Sequence, residues 1–287
     1  MNYTVNAPAK INFALDVLGR RPNGYHDVAM IMQTIALYDT ITVNTDCEEI
    51  KLTSNCSEIP TDERNIAYKA AQYLKDNYRI ESGVHIHIEK RIPVAAGLAG
   101  GSTDAAAVLK LLNEAWELKL SKEELMEAGL KLGADVPFCI QGGTCLAEGL
   151  GEKLTIIDKT PDCCILLVKP SVGVSTKEVY QGLKLEEISQ RPDIPGMLQA
   201  IENNDLGALC SSMGNVLETV TTKMHPVIIE LKQKLMELGA MGSLMSGSGP
   251  TVFGVFEDMS TAQRAYDSIK TMTNEVFVVK TFDGRDV

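Results

Sequence analysis

The chain has 287 residues, of which 45% are hydrophobic and 23% are charged, which is ordinary for a globular protein of one large or two medium domains. Its net charge of −11 argues against nucleic acid or an anionic membrane as the main partner, because both bind basic surfaces. No apolar run approaches the roughly 20 residues that span a bilayer. The seven cysteines, an odd number without disulfide-framework or zinc spacing, are typical of a reducing compartment. We therefore expect a cytoplasmic protein with no nucleic-acid or membrane partner.

The first part of the chain is rich in strand patterns. Residues 1–5 resemble a strand rather than a signal peptide. Further patterns predict strands at 2–19 with a break at 7–9, a turn at 20–24, and strands at 28–37, 39–44 and 48–52. A helix is expected to start at Asp62 or Asn65. Residues 84–89 alternate and place His85 and His87 on one face, where a solvated strand face is favoured over a metal site because no third ligand lies nearby.

A glycine-rich loop at residues 93–104 is the most informative segment of the sequence. Gly97, Gly100 and Gly101 stand directly before a helical pattern of apolar residues, and glycine lets the backbone approach an anion closely. A helix that begins at such a loop points unpaired N–H groups and the positive end of its dipole at one place, which suits a phosphate. The spacing matches neither the Walker loop nor the dinucleotide-binding pattern. A flexible turn before a core helix is the alternative interpretation.

Patterns in the rest of the chain predict a separate second unit that contains both helices and strands. Ser121 and Glu124 form a capping-box pattern that opens a helix ending near Gly133. A second unit is expected beyond residue 150, with strands at 153–157, 163–169, 241–245, 251–256 and 275–281. Its expected helices are 176–182, 196–204, 227–238 and a last one capped by Ser260 and Gln263. The fold class is therefore α+β, and the second unit is expected to be a ferredoxin-like layer of helices on an antiparallel sheet.

Three segments occur in an informative order: Pro-Ala-Lys-Ile-Asn at 8–12, the glycine loop at 93–104, and Ser-Gly-Ser-Gly-Pro-Thr at 246–251. In this order the chain resembles the GHMP kinase superfamily, small-molecule kinases whose glycine loop wraps the phosphates of ATP. The resemblance covers essentially the whole chain and implies a two-domain GHMP kinase fold. Its expected parts are a ribosomal-S5-domain-2-like, ATP-binding unit at residues 1–155 and a ferredoxin-like C-terminal unit at residues 156–287.

Finer motifs narrow the resemblance. Asn-Gly-Tyr-His at 23–26, the doubled glycine of the loop, and residues 133–138 are similar to one branch of the superfamily. That branch uses ATP to phosphorylate the 2-hydroxyl of a CDP-linked methylerythritol in the non-mevalonate isoprenoid pathway, which implies a small-molecule substrate bearing a cytidine diphosphate. Two alternatives stay open: the same fold acting on homoserine or mevalonate, and a non-catalytic regulator that senses a nucleotide. The sequence indicates no oligomeric state.

The resemblance assigns the chemistry to Lys10 and Asp135. Taken alone, Asp135 is typical of a turn or helix cap, and Lys10 of an exposed lysine. The resemblance makes Asp135 the catalytic base and places Lys10 beside it, where a cation keeps the carboxylate ionised. An aspartate with a reference pKa of about 3.9 is a weak base for an alcohol. The loose transition state of phosphoryl transfer tolerates this, because the hydroxyl grows acidic only as the new P–O bond forms.

The resemblance also implies which residues bind ATP: Val94, Ala95, Ala96, Gly97, Leu98, Ala99, Gly100, Gly101, Ser102, Thr103 and Asp104. The alanines at 95, 96 and 99 stand where glycines can occur in this loop, and we expect these three positions to avoid positive φ. Gly247, Ser248 and Gly249 are expected to support the ATP loop, although a simple hairpin turn is the alternative. Mg²⁺ is expected with ATP, with Ser102 or Thr103 as candidate contacts and no acidic cage in the sequence.

The substrate is expected to contact Asn12, Tyr25, His26, Thr176 and Tyr180. Asn12 shares a strand face with Lys10 and would reach the methylerythritol. Tyr25 would stack on one face of the cytosine ring, an interaction of roughly 1–3 kcal/mol, and Tyr180 on the other face. His26 would hydrogen-bond the edge that distinguishes cytosine from uracil. A tyrosine buried by a helix is the alternative for Tyr180.

Overall fold

The computed structural model describes residues 2–285. Its strands are β1 (Asn2–Arg20), β2 (His26–Asn44), β3 (Ile50–Ser54), β4 (Val84–Glu89), β5 (Thr144–Gly149), β6 (Lys153–Ile157), β7 (Cys164–Val168), β8 (Gly214–Asn215), β9 (Gly242–Met245), β10 (Val252–Phe256) and β11 (Val276–Lys280). Its helices are α1 (Ile66–Tyr78), α2 (Gly100–Ala115), α3 (Lys122–Leu132), α4 (Val136–Gln141), α5 (Thr176–Gly182), α6 (Ile194–Glu202), α7 (Leu206–Ser212), α8 (Glu218–Met224), α9 (Val227–Glu237) and α10 (Met259–Ile269). A short 3₁₀ helix follows α5 at Leu185–Glu187.

The larger sheet is built around one long hairpin, β1 paired antiparallel with β2. The predicted break at residues 7–9 is a change of register between Pro8 and Ala9 within a continuous strand, because a bulge accommodates a proline that cannot donate to the ladder. The strands predicted at 28–37 and 39–44 likewise form one strand. Across the sheet the order is β3-β4-β2-β1-β8, and β5 pairs with both β2 and β6.

Helix α2 is the central helix of the larger unit. It lies against β1 and β2 and contacts α1 and α4, and Val108, Leu109 and Leu112 on its apolar side are fully buried. Its neighbours begin where the sequence predicted, since Asn65 accepts a hydrogen bond from Ala67 N at the start of α1. Ser121 and Glu124 form the complete capping box of α3. The start of α2 is therefore fixed in space by a well-packed helix layer.

The smaller sheet has the strand order β11-β7-β10-β9 and is antiparallel throughout. Numbered along the chain, these strands lie in the order 4-1-3-2, with helices between the first and second strands and α10 between the third and fourth. This is the ferredoxin-like arrangement, so the α+β class and the ferredoxin-like second unit are confirmed. The predicted boundary at residues 155 and 156 falls inside β6, which belongs to the larger sheet, and its position stays a prediction.

Several predicted boundaries in the second half differ from the structure. The capping box of Ser260 and Gln263 is wrong, because Asp258 is the N-cap of α10 and its Oδ1 accepts from Thr261 N. Ser260 lies inside the first turn and donates to the same carboxylate. The sequence analysis also missed α7 and α8, which have seven residues each, too few for a clear apolar period. In the described part of the chain, no helix combines the length and hydropathy that a membrane crossing requires.

The cap of α10 can be tested by mutation. Asp258→Ala leaves the amide of Thr261 without its acceptor, so we expect the midpoint of thermal unfolding to fall by a few degrees. Gln263→Ala serves as the matched control and should leave the midpoint unchanged. Calorimetry of both variants checks this, and a larger loss in Gln263→Ala would restore the capping box that the sequence suggested.

Candidate functional site

The start of α2 is open toward a cleft. Ala99 is the N-cap residue, and its side chain makes no capping hydrogen bond, so the first-turn N–H groups remain directed at the space in front of the helix. The cleft there has a volume of about 1070 Å³ and lies between the glycine loop, the β1–β2 hairpin, α4 and α5. This is the arrangement that binds an anion at a helix start.

The backbone of the loop differs from the expectation at two of its alanines. Ala95 and Ala99 have φ of 50° and 58°, so the prediction that alanine avoids positive φ here is wrong at both positions. A left-handed alanine costs roughly 1–2 kcal/mol, and contacts from distant segments maintain it. Leu98 O accepts a hydrogen bond from Lys10 N at 3.2 Å, and Gly97 O accepts one from Ser246 Oγ at 2.9 Å.

The glycine turn at 246–249 packs directly on the loop. A Cβ added to Gly97, whose φ is 75°, would lie 2.1 Å from Ser246 O, and one added to Gly247 would lie 3.2 Å from Gly97 O. Asn215 holds the turn from behind, since its Nδ2 donates to the carbonyl oxygens of Met245 and Gly247. Glycine is therefore required at the point of closest approach between the two segments.

Lys10 and Asp135 meet at the floor of the cleft. Lys10 Nζ lies 3.5 Å from Asp135 Oδ2 and donates to Asn12 Oδ1 at 2.8 Å. The Lys10 side chain is 5% exposed and that of Asp135 is 32% exposed, so the carboxylate faces the cleft while the lysine is buried beneath it. Asp135 occupies the N-cap position of α4, in the turn that follows α3. Strand β1 and the α3–α4 turn thus bring together a cation and a carboxylate that are far apart in sequence.

An aromatic pair forms another wall of the cleft. The ring of His26, at the start of β2, lies 5.3 Å from the ring of Tyr180 on α5, with the planes tilted by 36°. Burial and the nearby Arg20 lower the pKa of His26 below 6.5, and burial raises the pKa of Tyr180. Tyr25, which we expected opposite Tyr180, is 64% exposed at the rim. Thr176 lies within hydrogen-bond distance of Ser248, 2.8 Å between hydroxyls, and joins α5 to the glycine turn.

Most of the predicted site residues line this one cleft. Those that do are Lys10, Asn12, Tyr25, His26, Val94, Ala95, Ala96, Gly97, Ala99, Gly100, Gly101, Ser102, Asp104, Asp135, Thr176, Tyr180, Gly247 and Ser248. Leu98 and Thr103 are each 1% exposed and pack into the core behind the loop. Gly249 is not among the lining residues either. The binding roles of all these residues stay predictions.

The sequence analysis missed several charged residues of the cleft. Arg20, Arg64 and Lys177 line it, as does Lys90, which lies just before the loop. Lys90 is paired with Asp39 and Asp104 in a buried cluster. The available signal was Asp39, a charged residue within the largely apolar pattern of β2. In residues 2–285 no group of three or more His, Cys, Asp or Glu side chains could hold a metal ion.

The chain combines a two-unit fold with a glycine-rich loop at the start of its central helix. The family description "GHMP kinases N terminal domain" matches residues 65–143, and "GHMP kinases C terminal" matches residues 197–274. The chain therefore belongs to the GHMP kinase family, as its motifs predicted, and it is a kinase of small molecules.

Curated relatives with one name are similar over nearly the whole chain. A protein of Acetivibrio thermocellus named 4-diphosphocytidyl-2-C-methyl-D-erythritol kinase is 53% identical over 278 residues, covering 97% of this chain and 98% of that protein. A protein of Lachnoclostridium phytofermentans with the same name is 51% identical over 287 residues, covering 99% of each.

Solved structures confirm the two-domain GHMP kinase fold. A crystal structure of 4-(cytidine 5'-diphospho)-2C-methyl-D-erythritol kinase aligns with a TM-score of 0.86 at 30% identity, covering 98% of this chain and 100% of that one. Homoserine kinase from Cytophaga hutchinsonii aligns with a TM-score of 0.78 at 19% identity, covering 99% and 96%. This second likeness shows the fold alone.

The contact between the loop and the glycine turn yields a prediction. Gly97→Ala places a methyl group against Ser246 O, and we expect a loss of about 1–3 kcal/mol in stability. The displaced loop should also weaken ADP binding by at least about 10-fold. Thermal unfolding and calorimetric titration with ADP measure the two effects.

The matched control is Gly207→Ala in α7, where the nearest atom to an added Cβ is Asp205 Oδ1 at an ordinary 3.4 Å. It should change neither quantity appreciably. Normal stability and ADP affinity in Gly97→Ala would contradict the close approach of these two segments.

Proposed function

We propose that this kinase transfers the γ-phosphate of ATP to the 2-hydroxyl of 4-diphosphocytidyl-2-C-methyl-D-erythritol. The observation that carries the proposal is that the Lys10–Asp135 pair lies in the same cleft as the open start of α2. A phosphate held at the helix start and a hydroxyl held at the carboxylate would then be neighbours. The printed names of the relatives supply the identity of the alcohol.

Asp135 is proposed to orient the acceptor hydroxyl and take its proton late in the transfer. The neighbouring Lys10 ammonium stabilises the ionised carboxylate, because an opposite charge within about 4–6 Å favours the charged form. Asn12 holds the ammonium from the other side and so fixes its direction. General-base catalysis contributes on the order of 10²–10⁴-fold. Positioning of the two substrates and electrostatics supply the remainder.

ATP as the phosphate donor follows from membership of the kinase family, and the loop fits it. The uncapped first turn of α2 offers N–H donors, and Gly100 and Gly101 add no Cβ at its start. The described residues offer no acidic cage for Mg²⁺. We therefore propose that Mg²⁺ enters with ATP, where it neutralises phosphate charge, and that Ser102 at the cleft surface is its candidate protein contact.

The cytidine end is proposed to lie at His26, Tyr25 and Tyr180. A neutral imidazole can accept a hydrogen bond from the exocyclic amine of cytosine, and the lowered pKa of His26 favours that neutral form. The proposal differs from the sequence expectation in one respect: the ring paired with Tyr180 is that of His26. Exposed Tyr25 is then free to close over the base from the rim.

A cytoplasmic location, which the odd number of cysteines favours, is part of the same proposal.

Homoserine or mevalonate as the acceptor is the nearest alternative, because kinases of both share this fold. The aromatic wall favours the cytidine-bearing alcohol, since a small amino-acid or acid substrate has no planar base to place there. A non-catalytic nucleotide sensor is disfavoured by the lysine–carboxylate pair in the cleft. An ADP-release assay that offers the three alcohols side by side decides among these functions. Turnover with homoserine or mevalonate but not with the CDP-alcohol would contradict the proposal.

The role of the base can be tested with an isosteric change. Asp135→Asn removes the proton acceptor but keeps the shape of the side chain, so turnover should fall by at least about 100-fold. ADP affinity should stay within about twofold, because the start of α2 is untouched. Asp205→Asn at the exposed N-cap of α7 is the control and should retain full turnover. Near-normal turnover in Asp135→Asn would remove this carboxylate from the mechanism.

The role of His26 predicts a pH dependence. Because the pKa of His26 lies below 6.5, the ring is neutral at pH 7, and KM for the CDP-alcohol should be constant from pH 7 to 8. As the pH falls through the lowered pKa, the ring becomes a cation without an acceptor nitrogen, and KM should rise. His26→Gln should abolish that rise, whereas the control His225→Gln, at the end of α8, should keep it. A rise that persists in His26→Gln would assign it to another group.

A further inference from the structure

Three ionisable side chains are buried together beneath the ATP loop. Lys90 Nζ lies 2.5 Å from Asp39 Oδ2 and 2.9 Å from Asp104 Oδ2. The three side chains are 5%, 0% and 3% exposed. Asp39 belongs to β2, Lys90 follows β4, and Asp104 lies just after the first turn of α2, so three separate elements converge on one ammonium group. Burying ionisable groups together is costly unless their geometry is well matched.

The cluster joins the two ends of the ATP loop. Asp39 Oδ1 accepts hydrogen bonds from Arg91 N at 2.6 Å and Ile92 N at 2.9 Å, at the start of the loop. The other oxygen of Asp39 holds Lys90, which in turn holds Asp104 at the end of the loop. A Cβ added to Gly100 would lie 3.1 Å from Lys90 Nζ, so the ammonium sits directly beneath the first residue of α2.

The backbone between these ends is strained, and the buried cluster holds the two ends in the positions that maintain this strain. Ala95 and Ala99 hold left-handed conformations that alanine disfavours, and such residues persist only where the surroundings over-determine them. Ends that could move apart would let the loop relax toward ordinary φ values. The N–H groups at the start of α2 would then lose their common direction toward the cleft.

We propose that Lys90, Asp39 and Asp104 form a buried clip that fixes the ends of the ATP loop and thereby positions the anion-binding start of α2. The three are positioning residues, because they act through the loop backbone rather than on the reacting atoms. The inference rests on the proposed function in so far as ATP binds at this loop.

The charge of the clip has a consequence for ATP. Burial, together with the neighbouring Asp39, raises the pKa of Asp104 to about 8 even though Lys90 opposes the shift. Asp104 Oδ1 has no hydrogen-bond partner among the described residues, so no donor stabilises the ionised form at that oxygen. At pH 7 the clip is therefore close to neutral. Above pH 8 its ionisation adds a negative charge within one turn of the phosphate site, and binding of an anionic nucleotide should weaken.

The test uses ADP affinity, which needs no acceptor alcohol. Lys90→Met should raise the Kd for ADP by at least about 10-fold at pH 7, because the loop is released. Its KM for the CDP-alcohol should stay within about twofold. Asp104→Asn removes the ionisable group but keeps the shape of the side chain, so its Kd at each pH is compared with its own value at pH 7. Between pH 7 and 9 its Kd should stay flat while that of the unmodified protein rises.

Lys169→Met is the matched control, since Lys169 is a largely buried lysine that is paired with Glu275 and does not line the cleft. It should leave the Kd for ADP and the KM for the CDP-alcohol unchanged. This control separates a general loss of stability from a loss of loop positioning. A folded Lys90→Met with normal ADP affinity would overturn the proposal. Should Lys90→Met fail to fold, Asp104→Asn decides: a Kd that rises with pH as in the unmodified protein overturns the clip. If the unmodified protein binds ADP but does not phosphorylate the CDP-alcohol, the result contradicts the proposed function and not the clip.

Discussion

The site depends on one residue that makes two contacts in different directions. The backbone N–H of Lys10 donates to Leu98 O in the ATP loop, while its side chain reaches Asn12 and Asp135. The distance between the anion site and the lysine–carboxylate pair is therefore set by the geometry of a single strand residue. Any shift of β1 would move the loop and the cation together, and so would preserve the spacing that the proposed transfer needs between donor phosphate and acceptor hydroxyl.

The second unit secures the same loop from the opposite side. Ser246 holds the carbonyl oxygen of Gly97, and Asn215 and Thr221 hold the backbone of the glycine turn. The loop is thus fastened by strand β1, by a turn of the smaller sheet and by the buried Lys90 cluster. These attachments explain how two left-handed alanines are maintained where glycine would be the easier choice. A pre-formed loop also lowers the ordering cost of nucleotide binding.

The acidic chain gathers positive potential locally. Its net charge is −11, yet the described residues that line the cleft include Lys10, Arg20, Arg64, Lys90 and Lys177 against Asp104 and Asp135. The start of α2 adds the partial positive charge of its dipole. Burial raises the pKa of Asp104, which favours its neutral form and reduces the negative charge near the start of α2. Local arrangement rather than overall charge therefore decides which ligand the cleft attracts.

Sequence patterns identified what depends on neighbours along the chain, such as the cap of α1, the capping box of α3, the strand Val84–Glu89 and the order of the three motifs. They failed where more than one nearby residue could cap the same helix, as at α10, which is capped by Asp258 and not by Ser260. The sequence by itself determined the α+β class, the family and the two candidate catalytic residues, because each leaves a periodic or ordered pattern in the chain. Only the tertiary structure decided the conformations of Ala95 and Ala99, the pairing of His26 with Tyr180 and the Lys90 cluster. These features arise from contacts between segments distant in sequence, and no local pattern encodes which buried partners will meet.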